Sequence, residues 1–410
     1  MYKGCFRCVW TLLVLWSIAS ASAFGQTLEG LAVLPADTFR PGPTSGQFIT
    51  AANGQTPPFT DRQPVQGVSS VLRESNGDYL VMADNGYGAK NNSADFVLRV
   101  YRISPDFKTR NQGEGTIAVE SFFSLHDPDR RLSFPIVAEA TTYPASGIAV
   151  PPVIRNNRLL TGADFDIESF RRAPDGTLWF GDEFGPFLIH TDASGKVLED
   201  VFPLPGVKSP QNPFLGTGTP NLLASKGFEG MAIIPNGKLL YPMLEGALTT
   251  DIDPRRLIIN EFDLSSKLYT THQWWYRMES AGNAIGDLTA ITDRRFLVIE
   301  RDNNQAAAAL FKKVFLIDLD NVDLQGYLVK HEVANLMALR DPYDLDSNAS
   351  EVFTFPFTTI ESVIPLSATH IGVLNDNNYP FSSGRTPGSP DNNEFIIIRL
   401  EQPLALFGKK

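Results

Sequence analysis

The feature that most constrains this chain is a unit that recurs along it. An acidic residue opens a short apolar strand, a turn follows six residues later, and a second apolar strand ends in Asp, Glu or Asn. The clearest copy is Glu168-Ser169-Phe170, then Pro174-Asp175-Gly176, then Leu178-Trp179-Phe180-Gly181-Asp182-Glu183. Another opens at Glu229, turns at Pro235-Asn236-Gly237 and reaches Glu245. A third runs from Asp287 to Glu300-Arg301-Asp302-Asn303, and a fourth from Glu361 to Asn375-Asp376-Asn377. A looser copy starts at Gly67, turns at Asn76-Gly77 and ends at Asp84-Asn85-Gly86. Asp-Gly and Asn-Gly between apolar runs are strong hairpin signals, because both residues tolerate the positive φ of a tight turn. Each unit therefore predicts a β-hairpin. Starts at 67, 168, 229, 287 and 361 lie 101, 61, 58 and 74 residues apart, which leaves room for four strands per unit.

Repeats of this size predict an all-β protein, a β-propeller whose blades are four-stranded antiparallel sheets. The strand from Glu394 to Leu400 is expected to pair with Leu28 to Leu34 and close the ring. Five copies plus one hidden or shared unit give an expectation of six blades, with five or seven left open. A long β-sandwich is the structural rival. Gly (32) and Pro (29) are plentiful, which argues against a helical bundle. The short helix candidates are Val333 to Leu339 and the loop from Asn304 to Leu310.

In a hairpin the start of the first strand lies beside the end of the second. Glu168 is thus expected near Asp182 and Glu183, Glu229 near Glu245, Asp287 near Glu300 and Asp302, and Glu361 near Asp376. If these hairpins line a channel, one mouth carries a collar of carboxylates. Crowded like charges repel and raise one another's pKa values, so the collar calls for cations or arginines. The expected metal ligands are Asp84, Asn85, Glu168, Asp182, Glu229, Asp287, Glu300, Asp302, Glu361 and Asp376. Hard oxygen donors in loose array suit Ca²⁺ better than Mg²⁺. Turn capping is the competing reading for any one of them.

Other chemistry is sparse. The chain has no G-x-S-x-G elbow, P-loop, HExxH or EF-hand loop. The expected catalytic residues are Arg301, holding an anionic oxygen, and Glu183 as general base, with Glu229 as its alternate. His190 is expected within reach of the same mouth, a structural role being its competing reading.

The amino terminus reads as a secretory signal: Lys3 and Arg7, an apolar run from Val9 to Ile18, and Ala21-Ser22-Ala23. The expected division is a signal over 1–23 and one domain over 24–410. Cys5 and Cys8 both fall in the signal, so a cleaved chain has no thiol for a disulfide or a nucleophile. Loss of Lys3 and Arg7 takes the net charge from −11 to −13. Such acidity offers no footprint for nucleic acid or an anionic membrane. The expectation is a secreted or periplasmic monomer, free of the membrane once cleaved, acting on a small molecule.

Several segments together resemble one family. They are Leu28 to Pro35, Asp84-Asn85-Gly86, Leu98 to Ile103, Asp166-Ile167-Glu168-Ser169, Gly181 to Pro186, Gly227 to Ala232, and Val298-Ile299-Glu300-Arg301-Asp302. Their order resembles the phytase-like family, often labelled esterase-like activity of phytase, over about residues 28 to 400. The resemblance implies a secreted, propeller-like protein and hydrolysis of an ester or phosphoester. The expected function is metal-assisted hydrolysis of an ester, in the first place a phosphoester. The alternatives are a non-catalytic ligand-binding propeller and a Ca²⁺-dependent lactonase-type esterase.

Overall fold

The computed structural model describes Met1 and residues 25–408. The expected signal, with Cys5 and Cys8, lies outside the described residues. The five hairpins of the sequence repeat are all present, each the inner half of a four-stranded antiparallel unit. The first unit comprises Val68–Arg73, Tyr79–Ala83, Arg99–Asp106 and Thr116–Ser124. The second comprises Ile167–Arg172, Leu178–Asp182, Phe187–Thr191 and the short Phe202–Pro203. The third holds Phe228–Ile233, Leu239–Leu244, Arg256–Asp263 and Leu268–Arg277. The fourth holds Asn283–Ala290, Arg295–Asp302, Lys312–Val322 and Leu328–Asn335. The fifth is built from both ends of the chain: Thr359–Pro365, His370–Asp376 and Asn393–Arg399, with Thr27–Leu34 added as its outer strand.

The first strands of the five units pack side by side in a cycle, the fifth against the first. The result is a propeller-like ring. A single parallel bridge, Val33 to Thr116, also joins the outer strands of the fifth and first units. Five units replace the six expected. The shared unit proves to be the Glu361 copy itself, closed by the amino-terminal strand. The long gap after the first hairpin holds no further sheet. It holds two outer strands, a 3-10 turn at Val137–Glu139 and a helix at Pro152–Asn157.

Five apolar cores, one between each pair of neighbouring units, hold the ring together. The strand Arg295–Asp302 shows why its sequence is a continuous apolar run. Phe296 and Val298 face the third unit, whereas Leu297 and Ile299 face the fifth. Side chains alternate across a strand, and both faces here are buried, so both sets must be apolar. Val333 and Ala334, expected in a helix, are instead in the outer strand Leu328–Asn335, with Val333 fully buried against the fifth unit. The other helix candidate contains only a 3-10 turn, Ala306–Ala308.

Candidate active site at the channel mouth

Every inner hairpin carries a bulge at the same place. The pairing shifts between Val68 and Ser70, Ile167 and Ser169, Phe228 and Gly230, Ile285 and Asp287, and Ile360 and Ser362. The bulged residues are Ser69, Glu168, Glu229, Gly286 and Glu361. A bulge leaves one residue without a cross-strand partner and re-aims its side chain. Here it turns three glutamates inward together. One oxygen from each of Glu168, Glu229 and Glu361 lies within 4.8 Å of the others. Gly286 fills a slot where a Cβ would stand 1.9 Å from the Ile360 carbonyl oxygen. Ser69 donates to Glu361 Oε2 at 3.0 Å.

The second strands add another layer. The residue that follows the cross-strand partner of each pre-bulge position is Asp84, Glu183, Glu245, Arg301 or Asp376. Glu183 joins Glu229 and Glu245 in one close group, and Asp166 and Glu168 in another. Eight carboxylates thus surround the mouth: Asp84, Asp166, Glu168, Glu183, Glu229, Glu245, Glu361 and Asp376. None is more than 9% exposed. Two ion pairs reach them among the described residues. Arg301 donates to Glu361 Oε1 at 3.0 Å, and Lys226 contacts Glu245.

Three carboxylate oxygens in this cluster are buried without a hydrogen-bond partner: Asp166 Oδ1, Glu183 Oε1 and Glu229 Oε1. Burial, reinforced by Glu245 and Glu361, holds the Glu229 carboxyl well above the usual carboxylate range. Burial also raises Glu183, with Glu245 and Asp166 adding to it, and Glu168, with Glu229 and Asp166 adding to it. Asp166 and Asp376 are pushed well up in the same way, and Glu361 is raised despite Arg301. Asp84 is pushed up to about 7 by burial and by Glu361, against hydrogen bonds from Gly86 and Gln66. Six of the residues expected at the site from sequence, namely Asp84, Glu168, Glu183, Glu229, Glu361 and Asp376, therefore converge, together with Arg301.

The remaining expected residues lie elsewhere. Asp182 faces away from the mouth and accepts from the backbone N–H groups of Asp166 and Gly185, at 2.9 and 2.7 Å. Glu300 accepts from Tyr276, Asn283, Lys330 and the Glu279 N–H. Asp302 accepts from Leu310, Phe311 and Lys312. Asn85 braces a loop through Gly88. Asp287 sits one residue past the bulge, so it points away from the collar and pairs with Arg171 at 2.9 Å. His190 lies on a third strand, directly opposite Trp179. Its ring stacks on that indole at 4.1 Å, its Nδ1 meets Glu199 at 2.6 Å, and burial lowers its pKa. It lines a cavity with the turn residues Pro174 and Asp175, at the end of the hairpin away from the mouth. Asp166 and Lys226 were missed from sequence. Asp166 precedes its strand and fits no hairpin-start rule, although Glu168 two residues on marks the place.

A cavity of about 430 Å³ opens beside the cluster, between the third and fourth units. Glu245 and Lys226 line it, as does Asn303, which accepts a hydrogen bond from Arg301 at 2.5 Å.

A ring of four-stranded sheets with an acid-lined mouth is the class these observations define. The family model phytase-like, described as esterase-like activity of phytase, matches residues 63–379. The chain belongs to that family. A secreted protein of Arthroderma benhamiae, itself uncharacterized, is 23% identical, with 36% of this chain and 36% of that protein covered; the match thus spans about a third of that relative. Similar solved structures include a luciferin-regenerating enzyme at 11% identity, covering 92% of this chain and 94% of that one, with a TM-score of 0.37. Regucalcin, a calcium-binding protein of Agrobacterium tumefaciens, is 11% identical over 83% of this chain and 94% of its own, with a TM-score of 0.38. These scores are too low to carry an argument, and the fold rests on the strand pairing above. No helix among the described residues is long and apolar enough to cross a membrane.

Proposed function

We propose that the protein is an exported single-domain hydrolase of esters, in the first place phosphoesters, that holds Ca²⁺ at the carboxylate mouth. The observation that carries this reading is the set of unpartnered buried oxygens on Asp166, Glu183 and Glu229. An ionised carboxylate buried without a partner costs several kcal/mol, so the cluster is built to hold something positive. All donors are carboxylate oxygens, which fits Ca²⁺, a hard cation of six to eight oxygen ligands. Glu168 and Glu229 would hold it, with Glu361 completing the group. When bound, the cation offsets charge and polarises the substrate oxygen.

The chain's own residues then divide the work. Arg301, fixed by Glu361 and Asn303, keeps its Nε unpartnered and holds an anionic ester oxygen. Glu183, whose Oε1 is free, accepts the proton of the attacking water. The water oxygen bonds to phosphorus, or to the acyl carbon, while the bond to the leaving oxygen breaks. The proton held on Glu183 passes to that oxygen, and an alcohol departs.

The test is a hydrolysis screen of the protein over phosphomonoesters, phosphodiesters, lactones and aryl esters, with Ca²⁺ and with EDTA. Calcium-dependent turnover, lowered at least 10²-fold in Glu183→Gln, supports the reading. Turnover indifferent to EDTA contradicts it.

A further inference from the structure

The cavity beside the cluster bears on which esters the site takes. Three mouth segments form it, around Leu223 to Lys226, Glu245 to Pro254, and Met278 to Ala284. Its wall includes Leu223, Ala247, Leu248, Pro254, Met278 and Ala284. Leu223 is 62% exposed although it is a large aliphatic side chain on a loop. At about 430 Å³ the space lies within the range of small-ligand pockets, and its lining is of the usual kind, apolar with a few placed polar groups. The polar lining comprises Lys226, Glu245, Thr249, Asp251, Asn283 and Asn303, and Lys226 meets Glu245, one of the mouth carboxylates.

Charge argues in the same direction. Eight carboxylates line the mouth against two paired cations, Arg301 and Lys226. Even with a divalent cation added, acidic groups outnumber positive charge at the mouth, so every further anionic group on a ligand adds to the repulsion. A substrate bearing several phosphates would set its surplus charges against buried glutamates, and like charges so placed repel strongly. The apolar wall would also leave those phosphates without partners.

Resting on the hydrolase reading above, we infer that the substrate is an ester with a single anionic group and one compact apolar organic group. The apolar group sits against Leu223, Leu248 and Met278 while the ester faces Glu183 and Arg301. Polyphosphorylated molecules, phytate among them, do not fit this site.

The test is equilibrium binding, at saturating Ca²⁺, of three ligands: phenylphosphonate, methylphosphonate and fructose 1,6-bisphosphate. Phenylphosphonate is expected to bind at least tenfold more tightly than methylphosphonate, and the bisphosphate more weakly than phenylphosphonate. Leu248→Asp is expected to remove the phenyl preference. Leu223→Asp, on an exposed loop, gives the same test in a variant whose fold is not at risk, and melting curves check both. Equal binding of the two monophosphonates, or tighter binding of the bisphosphate, in a protein that hydrolyses phosphomonoesters would overturn the inference and leave the hydrolase reading standing. Absence of binding by all three, with no ester turned over, would overturn both.

Discussion

Two buried charged regions share the same ring of inner strands, and they are satisfied very differently. Arg171 reaches across from the second unit. Its Nη1 donates to Ser70 Oγ and the Phe170 carbonyl, both at 2.7 Å, and its Nη2 to Asp287, the Leu288 carbonyl and Thr289. Asp287 in turn accepts from the Leu288 and Val363 N–H groups. Residues from four units thus meet in one closed network. At the mouth, equally buried carboxylates keep three oxygens unpartnered and outnumber their cations. Charge that fastens the ring is fully paired within the chain, and the unpaired charge at the mouth is what the proposed function assigns to a bound cation.

The largest effect is expected where the pairing is complete. Arg171→Met leaves the buried Asp287 with its two backbone N–H donors but no counter-cation, and should lower unfolding free energy by roughly 3–5 kcal/mol. Urea denaturation measures it, and a loss below about 1 kcal/mol would erase the contrast between the two regions. At the mouth, stability should come from outside the chain. Calcium at about one hundred times its dissociation constant should add about 2.7 kcal/mol, removed by EDTA and visible in the melting temperature.

The pH dependence sharpens the same contrast. The mouth carboxyls have folded pKa values above their unfolded ones, so the folded state binds more protons. Without metal, their contribution favours folding at low pH. It is lost as pH rises from about 4, the unfolded carboxyl range, through the value of about 7 at Asp84. Melting scans of the EDTA-treated protein should show falling stability from pH 5 to 8, and Ca²⁺ should flatten that fall. A metal-free protein that grows more stable over this range would contradict the account.

Smaller effects follow. Glu229→Gln removes a repelled charge that has no partner for one oxygen, so the metal-free variant should be as stable as wild type or slightly more so. A loss above about 1 kcal/mol in urea would make Glu229 a structural group instead. His190→Phe keeps the stacking on Trp179 and drops the bond to Glu199. It should cost about 1 kcal/mol and leave turnover unchanged. A fall in turnover would return His190 to the site.

The hairpins were legible because their turns and apolar runs are local signals, and the closing strand was legible from both chain ends. The bulge was not. It inserts one residue into each pairing without altering the apolar pattern, so Asp287 read as the collar residue where Gly286 holds the slot. The same one-residue shift carries Asp182 and Glu300 away from the mouth while Glu183 and Arg301 face it. His190 was misplaced because its strand runs from the mouth toward the turns, and distance along the sequence does not reveal that direction. The unit count failed for a different reason: the strand that closes the ring belongs to a copy already counted.

The central claim, that the mouth is a divalent-cation site, is tested most directly by calorimetric titration of Ca²⁺ into EDTA-stripped protein. The account predicts saturable binding in wild type, unchanged affinity in His190→Phe, and affinity at least tenfold weaker in Glu229→Gln. Equal affinity in wild type and Glu229→Gln, or no binding in wild type, would contradict it.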